Sequence, residues 1–252
     1  MIFRYEPGDS LFHRTDPLSK FVWLVSVSIL ALRYANAPIQ AALFCAVALQ
    51  GVLLAHLSLR TLWRGLRFPL WFVVPYFVLQ LVFVPGETEL ARIGTFVLTE
   101  EALDYAAAIS LRIATLILAS LLYVATTDPR DVVLALAQKL RVPYRFAFAI
   151  SIALRFVPVL EEEAELVRAA QRLRGLGEPV GLKHWLSWRK RFALAVFASA
   201  IRRVQKTAEA MEAKHFGAYR DRTYRKTVTV PPAGIVLSAV SGLAAAGLLV
   251  WL

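Results

Sequence analysis

The chain has 252 residues, of which 58% are hydrophobic, and its formal net charge is +11. This composition is too apolar for an ordinary globular domain and too charged for a protein made only of membrane spans. The single cysteine, Cys45, excludes an intrachain disulfide and a cysteine-based metal site. We therefore expect membrane helices combined with a separate cationic region.

Apolar stretches that are long enough, or nearly long enough, to cross a bilayer occur five times. A spanning helix needs about 20 mostly apolar residues to cross a hydrocarbon core of roughly 30 Å. The pattern predicts an all-α, polytopic membrane protein with about five transmembrane helices. The five segments are residues 19–34, 37–56, 68–85, 105–126 and 233–252.

A block of basic residues separates the fourth apolar segment from the fifth. Residues 127–230 hold 20 of the 29 lysine and arginine side chains. We therefore divide the chain into three parts. Residues 1–126 form an N-terminal segment with four transmembrane helices, residues 127–230 form a platform of amphipathic helices, and residues 231–252 form the fifth transmembrane helix.

The charge of the loops predicts how the chain is oriented in the cell membrane. Arg4, Arg14 and Lys20 precede or begin the first span, on the same side as the basic block. The loop of residues 86–104, on the opposite side, holds five acidic residues and one arginine. Because cytoplasmic loops carry an excess of Lys and Arg, the N-terminus and the platform are expected in the cytoplasm and the C-terminus outside.

Two features stand out within the apolar segments. Gly234, Ser238 and Gly242 recur every four residues and so line one face of the last span, as in closely packed membrane helices. Small residues are also common in spans that make no such contact. Arg112 lies in the fourth span, where it either extends to the interface or faces the protein interior.

The basic block is predicted to contain four helices. Asp128 and Pro129 are typical of a helix start, with Asp as the N-cap and Pro at the first helical position. Pro158 is expected to break or kink the chain between two helices, and Gly217 to cap the longest one. The expected helices cover residues 129–140, 144–156, 159–174 and 183–215.

The last two platform helices each end with a cation that continues the packing face. Arg174 continues the row of Ala170 and Val167, and Lys214 continues the row of Met211. Two roles are open for these cations. They complement the helix dipole, an effect of about 0.3–1 kcal/mol, or each is the tip of a docking surface that fits an acidic pocket on a partner.

Enzymatic and autonomous transport functions find little support in the sequence. No Gly-rich phosphate loop, metal-ligand spacing or nucleophile–base arrangement occurs in it. An interfacial membrane enzyme would need an acid–base pair or metal ligands. A permease with its own substrate path would need polar groups in the spans, for which Arg112 is the one clear candidate.

Three stretches of the chain resemble the transmembrane T component of energy-coupling factor (ECF) transporters. Residues 5–20 resemble its N-terminal segment, and residues 126–175 resemble its coupling region, including the sequence Ala-Gln-Arg-Leu-Arg-Gly. Residues 212–216, Glu-Ala-Lys-His-Phe, match its second signature. The resemblance covers essentially the whole chain, in the order four spans, coupling helices and final span.

This resemblance implies a scaffold that is not an enzyme. In that family the T component joins two cytoplasmic ABC-type ATPases to a small substrate-binding membrane protein, the S component. The resemblance implies uptake of a vitamin or another micronutrient, with a dedicated cobalt or nickel importer as the alternative. It also implies that the chain binds no cofactor, metal or nucleic acid, and that the ATPases hold ATP and Mg²⁺.

The resemblance further implies where the partners bind. Paired Ala-Arg-Gly signatures end the two long coupling helices of the family and dock into the ATPases. The first signature maps onto Leu173, Arg174 and Gly175. The second maps onto Ala213-Lys214-His215, where lysine keeps the charge without the planar guanidinium. The apolar residues expected to contact the S component are Phe146, Phe148, Ile152, Phe192 and Phe197.

Overall fold

The computed structural model describes Tyr5 and residues 8–86, 88–93, 96–140, 142–174, 181–219, 227 and 231–250. Within these residues the regular structure is helical apart from one short β-hairpin, which confirms the all-α class for the described part of the chain. The elements are α1 (Leu11–Arg14), α2 (Pro17–Arg33), α3 (Ala37–Leu53), α4 (Leu59–Phe83), β1 (Glu89–Ile93), β2 (Phe96–Thr99), α5 (Glu100–Thr126), α6 (Pro129–Lys139), α7 (Tyr144–Leu173), α8 (Leu182–Ala213) and α9 (Pro232–Val250).

Capping residues account for where several helices begin. The Oδ2 atom of Asp16 accepts a hydrogen bond from the Ser19 N–H at 3.1 Å and so caps α2. The Oδ1 atom of Asp128 accepts one from the Arg130 N–H at 2.8 Å. Helix α6 therefore begins at Pro129, as the sequence predicts.

The chain divides into two compact units. The first comprises residues 1–135 and 228–252, and the second comprises residues 136–227. In the first unit α5 packs against α2, α3 and α4, and α9 packs against α2. The second unit is built mainly on the pair formed by α7 and α8.

The core of the first unit surrounds the C-terminal half of α5. Leu122 is fully buried there. An added Cβ at Gly51 of α3 would lie 2.8 Å from Leu122 Cδ2, so this glycine allows the two helices to approach closely. The Phe12 ring meets Trp23 edge-on at 5.3 Å, and Trp23 Nε1 donates a hydrogen bond to Gln50 Oε1 at 2.9 Å. Helix α5 is thus the central element of this unit.

The segment between α4 and α5 departs from the helical pattern. Strands β1 and β2 pair antiparallel, with Ile93 opposite Phe96 and an irregular register between Glu89 and Ala91. Aromatic and β-branched residues such as Phe96 and Val97 favour strands. The predicted outer loop therefore contains a hairpin.

Length and apolar composition single out α5 as a helix that can cross a membrane. Helix α4 is bent by 56° between Leu59–Arg67 and Pro69–Phe83, and its two parts pass the same test together. Helix α3 and the Pro232–Ala244 part of α9 are apolar but shorter. In the described part of the chain, one helix qualifies, or two if the bent pair is one span. The number of five spans stays a prediction.

The expected interruption at Pro158 is wrong. Helix α7 runs from Tyr144 to Leu173 and includes the two segments that were expected to be separate helices. Proline removes one backbone hydrogen bond of a 30-residue helix. The contacts of α7 with α8 and the turn that follows it lie on both sides of Pro158, at Phe148 and at Glu163, and hold the helix together across this position.

Candidate functional site

Helices α7 and α8 form an antiparallel hairpin. Residues early in α7 contact residues that follow α8, and residues late in α7 contact residues early in α8. The Ser199 hydroxyl donates to Glu163, and Arg203 pairs with the same carboxylate at 3.5 Å. Closer to the end of α7, the Arg168 guanidinium lies 5.5 Å from the centre of the Phe192 ring.

The interface between these helices covers one face of α8 only. None of the 32 residues of α8 is fully buried. Outside this interface the helix exposes both charged and large apolar side chains. The half-buried residues that follow the interface at helical spacing are Trp188, Phe192, Val196, Ser199, Thr207 and Met211.

The first expected docking cation, Arg174, lies at the end of α7. Its backbone N–H donates to the Ala170 carbonyl at 3.2 Å, and its side chain is exposed. In the row that leads to it, Val167 is half-buried, whereas Ala170 is exposed. The row therefore leaves the interface before it reaches Arg174, which projects beyond it. Gly175 lies outside the described residues.

The surface next to Arg174 is a groove with charges of both signs. Its described lining residues all belong to helix α7, and the charged ones follow each other at a spacing of three or four positions. The lining residues are Glu165, Arg168, Ala169, Arg172 and Leu173.

The second expected docking cation, Lys214, lies in a tight turn after α8. Its N–H donates to the Met211 carbonyl at 3.2 Å, and the Phe216 N–H donates to the same carbonyl at 2.9 Å. His215 and Gly217 adopt positive φ values of 52° and 90°. Glycine tolerates that backbone without strain. The expected cap at Gly217 is nevertheless wrong, because α8 ends at Ala213 and Lys214 is its C-cap. The side chains of Ala213, Lys214 and His215 are exposed.

Side chains from the start of α7 hold the turn that carries Lys214. The Phe216 ring stacks on Phe148 with the ring centres 4.4 Å apart. The Tyr144 hydroxyl donates to the Tyr219 carbonyl at 2.9 Å, and Arg145 donates to the Gly217 carbonyl at 3.3 Å. We call residues 214–219 the Lys214 turn. These contacts fix the conformation of the Lys214 turn within the second unit.

Sequence reasoning missed the three side chains Tyr144, Arg145 and Phe216. Tyr144 and Tyr219 are 75 positions apart in the chain, so local periodicity could not connect them. One signal was available. An apolar residue beside a glycine that follows a helix often packs back onto the fold, and Phe216 precedes Gly217.

The five apolar residues expected to contact the S component fall into two groups. Phe148, Ile152 and Phe192 are half-buried, and Phe192 stacks on Trp188 while Phe148 stacks on Phe216. The side chains of the other two are free to meet another protein, with Phe146 67% and Phe197 65% exposed.

Phe146 and Phe197 point away from the interface between the two helices. Each is rotated by roughly 150° from the residues that face the other helix. Other exposed apolar residues of the hairpin are rotated in a similar way. We call the surface that these residues form outside the α7–α8 interface the apolar side. Its exposed residues are Phe146, Ile150 and Val157 of α7 and Leu194, Phe197, Ile201 and Val204 of α8.

The small residues of α9 differ in their surroundings. Gly234 is buried, and an added Cβ there would lie 2.6 Å from Asp16 Oδ1 of the α2 cap. Ser238 donates to the Ile235 carbonyl within its own helix at 3.0 Å. No described atom lies within 4 Å of the Cβ position at Gly242. The structure therefore gives Gly234 a close helix contact and places Gly242 in open space.

Arg112 faces the interior of the first unit. It donates a hydrogen bond to the Tyr34 carbonyl at 2.7 Å, at the C-terminal end of α2. Gln40 donates to the same carbonyl at 2.6 Å and to the Ala31 carbonyl at 2.7 Å. These bonds satisfy carbonyl groups that a helix end leaves free. Of the two positions open for Arg112, the structure shows the one that faces the protein interior, where the side chain binds a backbone carbonyl group.

These features together define a class of protein. A bundle built around an apolar helix of membrane-spanning length carries a separate helical unit with exposed cations and a broad apolar side. Within the described residues no group of three or more His, Cys, Asp or Glu side chains could hold a metal ion. This arrangement is typical of a helical membrane protein that carries a separate helical hairpin with exposed charged and apolar side chains.

Comparison with known proteins identifies the family. The model of the family CbiQ, cobalt transport protein, matches residues 8–225. The chain is 34% identical over 243 residues to the energy-coupling factor transporter transmembrane protein EcfT of Brevibacillus brevis, covering 90% of this chain and 89% of that relative. It is 32% identical over 237 residues to EcfT of Bacillus subtilis, again covering 90% and 89%. The chain belongs to the EcfT/CbiQ-type family of transmembrane T components of ECF transporters, and so is a membrane protein and a transporter subunit.

Proposed function

We propose that the chain is the scaffold and coupling subunit of an ECF-type ABC importer. It links two cytoplasmic ATPases to a substrate-binding S component and transmits ATP-driven motion for the uptake of a vitamin or another micronutrient. The observation that carries this proposal is the α7–α8 hairpin, which exposes Arg174 at one end and Lys214 at the other.

The distance between the two cations supports two separate partners. Lys214 lies beside the start of α7, because its turn stacks on Phe148. Arg174 follows the last residue of the same helix. At 1.5 Å per residue, the stretch from Phe148 to Arg174 spans about 39 Å. Two proteins can each engage one end at this distance, and one acidic pocket cannot hold both cations.

The apolar side of the hairpin supports a third, apolar partner. It exposes seven large apolar side chains on two neighbouring helices, and extended exposed patches of this kind mark interaction sites. A small membrane-embedded S component has the matching chemistry. We therefore assign its contact to this side, with Phe146 and Phe197 as central residues.

The proposal includes an orientation and a division of labour. Five spans place the N-terminus and the hairpin in the cytoplasm and the C-terminus outside, in accord with the loop charges. ATP and Mg²⁺ are held by the ATPases, and this chain performs no catalysis. A cysteine placed at Glu89 in a Cys45→Ala background should react with an impermeant thiol reagent in intact cells. Labelling only after lysis would contradict this orientation.

A dedicated cobalt or nickel importer is the second candidate. The family model that matches this chain carries the name cobalt transport protein, whereas the relatives carry the general ECF name. The substrate follows the S component. Its identity in the purified complex therefore decides between a vitamin and a metal ion.

The direct test is to purify the tagged chain from its native membrane in mild detergent. Two ABC ATPase chains and a small apolar membrane protein should copurify with it. The double variant Phe146→Asp/Phe197→Asp should lose the small protein and keep the ATPases, because it changes only the apolar side.

Phe148→Asp is the matched control for that experiment. Phe148 supports the Lys214 turn. Phe148→Asp should therefore weaken binding of the ATPases, which the double variant should leave unchanged. A chain that purifies alone in every preparation would refute the scaffold function.

A further inference from the structure

A buried lysine lies at the point where α5 ends. Lys20 precedes or begins the first apolar segment and counts among the cations of the predicted cytoplasmic flank, yet its side chain is only 1% exposed. Burying an ammonium group is costly unless hydrogen bonds and opposite charges compensate it. Its partners therefore indicate what the residue does.

The Lys20 ammonium binds the last turn of α5. Its Nζ atom donates to the Thr126 carbonyl at 2.8 Å and lies 3.5 Å from Thr127 Oγ1. Thr126 is the last residue of α5, where carbonyl groups lack partners within the helix and the helix dipole favours a cation. Lys20 thus caps α5 from a different helix.

Two carboxylates favour the charged form of this lysine. Asp16, which caps the helix that carries Lys20, and Asp131, in the first turn of α6, both attract the ammonium. Asp16 is 4% exposed, and Gly234 of α9 lies against its Oδ1 atom. Through its own hydrogen bonds, Lys20 ties the end of α5 to α2.

The place of this cluster in the chain gives it significance beyond packing. The chain leaves α5 at Thr126, passes through α6 and enters the second unit at residue 136. A force on the second unit that travels along this connection passes through α6 and reaches the end of α5 at Thr126. If the last turn of α5 could unwind there, the force would be lost in local unfolding.

We infer that Lys20 is a positioning residue for energy coupling, which holds the chain's exit from α5 fixed to α2. This inference rests on the proposed function, because it presumes that the second unit is moved by the ATPases. Arg112 provides an internal comparison. It caps the far end of α2 from α5 in the same way that Lys20 caps the end of α5 from α2. Only Lys20 lies at the exit toward the second unit.

The test compares Lys20→Met with Arg112→Met in the complete transporter, reconstituted in liposomes. Each variant removes one capping cation and keeps an unbranched apolar side chain. We expect Lys20→Met to lower the amount of substrate imported per ATP hydrolysed on the order of tenfold. Both variants should lower the melting temperature. Arg112→Met, however, should leave the amount of substrate imported per ATP hydrolysed unchanged.

A second measurement does not depend on transport. Amide hydrogen exchange of the purified chain should become faster over residues 122–132 in Lys20→Met and stay unchanged there in Arg112→Met. If wild-type liposomes import nothing and no ATPase binds, the proposed function fails, and the exchange result still decides whether Lys20 holds the exit from α5.

Two outcomes would overturn the inference. One is a wild-type ratio of import to hydrolysis in Lys20→Met. The other is an equal fall of that ratio in both variants, which would assign the effect to general loosening of the bundle. Lys20→Met leaves the Asp16 charge buried without its cation, so poor folding is a foreseeable result. The double variant Lys20→Met/Asp16→Asn removes both charges, should fold, and should show the same loss of coupling.

Discussion

The two ends of the α7–α8 hairpin carry equivalent cations in different surroundings. Tyr144, Arg145 and Phe148 of α7 hold the Lys214 turn through a ring stack and two hydrogen bonds to backbone carbonyls. At the other end, the described contacts of the Arg174 backbone are made within its own helix. The fold therefore fixes the turn that carries Lys214, whereas within the described residues the backbone of Arg174 is fixed only by its own helix.

This difference suggests how the two proposed ATPase sites would work. A preformed site loses little conformational entropy on binding, and a less constrained one loses more. Lys214 lacks the planar guanidinium of Arg174, so its pairing with a carboxylate is weaker. We propose that preorganisation offsets the weaker cation, and that the two ends reach similar affinity by different means.

Charge reversal at the two ends should have the largest effect. Arg174→Glu should reduce ATPase occupancy from two to one per chain, and Lys214→Glu should do the same, because each places like charges against an acidic pocket. We expect each variant to lower the affinity of the ATPase at its own end by more than about 100-fold. Quantitative mass spectrometry of the purified complex measures the occupancy.

Arg202→Glu is the matched control for charge reversal. It makes the same change in net charge at an exposed position in the middle of α8. Full occupancy in Arg174→Glu would refute the docking role of that end. Loss of both ATPases in the Arg202 variant would show that net charge, not position, controls binding.

Removal of the ring stack should have an intermediate effect and separates the two ends. Phe216→Ala leaves Lys214 in place but takes away the ring that stacks on Phe148. We expect a loss of about 1–2 kcal/mol in the stability of the second unit. Affinity at the Lys214 end should fall about tenfold, which corresponds to 1.4 kcal/mol.

Binding of isolated ATPase to the solubilised chain, with calorimetry of the chain alone, checks this expectation. Phe197→Ala removes an exposed aromatic ring from the same unit and should change neither quantity. If Phe216→Ala weakens both ends equally, the Lys214 turn has no special role in presenting its cation.

Exchange of the second cation should have the smallest effect. Lys214→Arg supplies the planar group that this chain has at its first end, in Arg174. Because the turn is already positioned, we expect affinity at this end to rise by no more than about threefold. Surface plasmon resonance with immobilised T component resolves such a change. A large loss would indicate a pocket shaped for lysine.

Much of the fold could be predicted from the sequence because its signals are local. Apolar runs and a cap such as Asp128 place most of the helices within a few residues, although α4 begins nine residues before the predicted segment. The four-residue spacing in α9 includes Gly234, which lies against Asp16. The prediction at Pro158 was wrong, because contacts at Phe148 and Glu163 outweigh the hydrogen bond that proline removes. The hairpin of β1 and β2 gave only a short signal inside a charged loop.

The same distinction between local patterns and long-range contacts applies to the candidate site. The sequence by itself determined that Arg174 and Lys214 end two long helices, since helical periodicity and the flanking breakers are properties of neighbouring residues. Only the tertiary structure decided that α7 and α8 are antiparallel, which puts the two cations at opposite ends. It also decided which phenylalanines are exposed and that Lys20 is buried against Thr126. These facts depend on contacts between residues far apart in the chain, and a local pattern carries no information about such contacts.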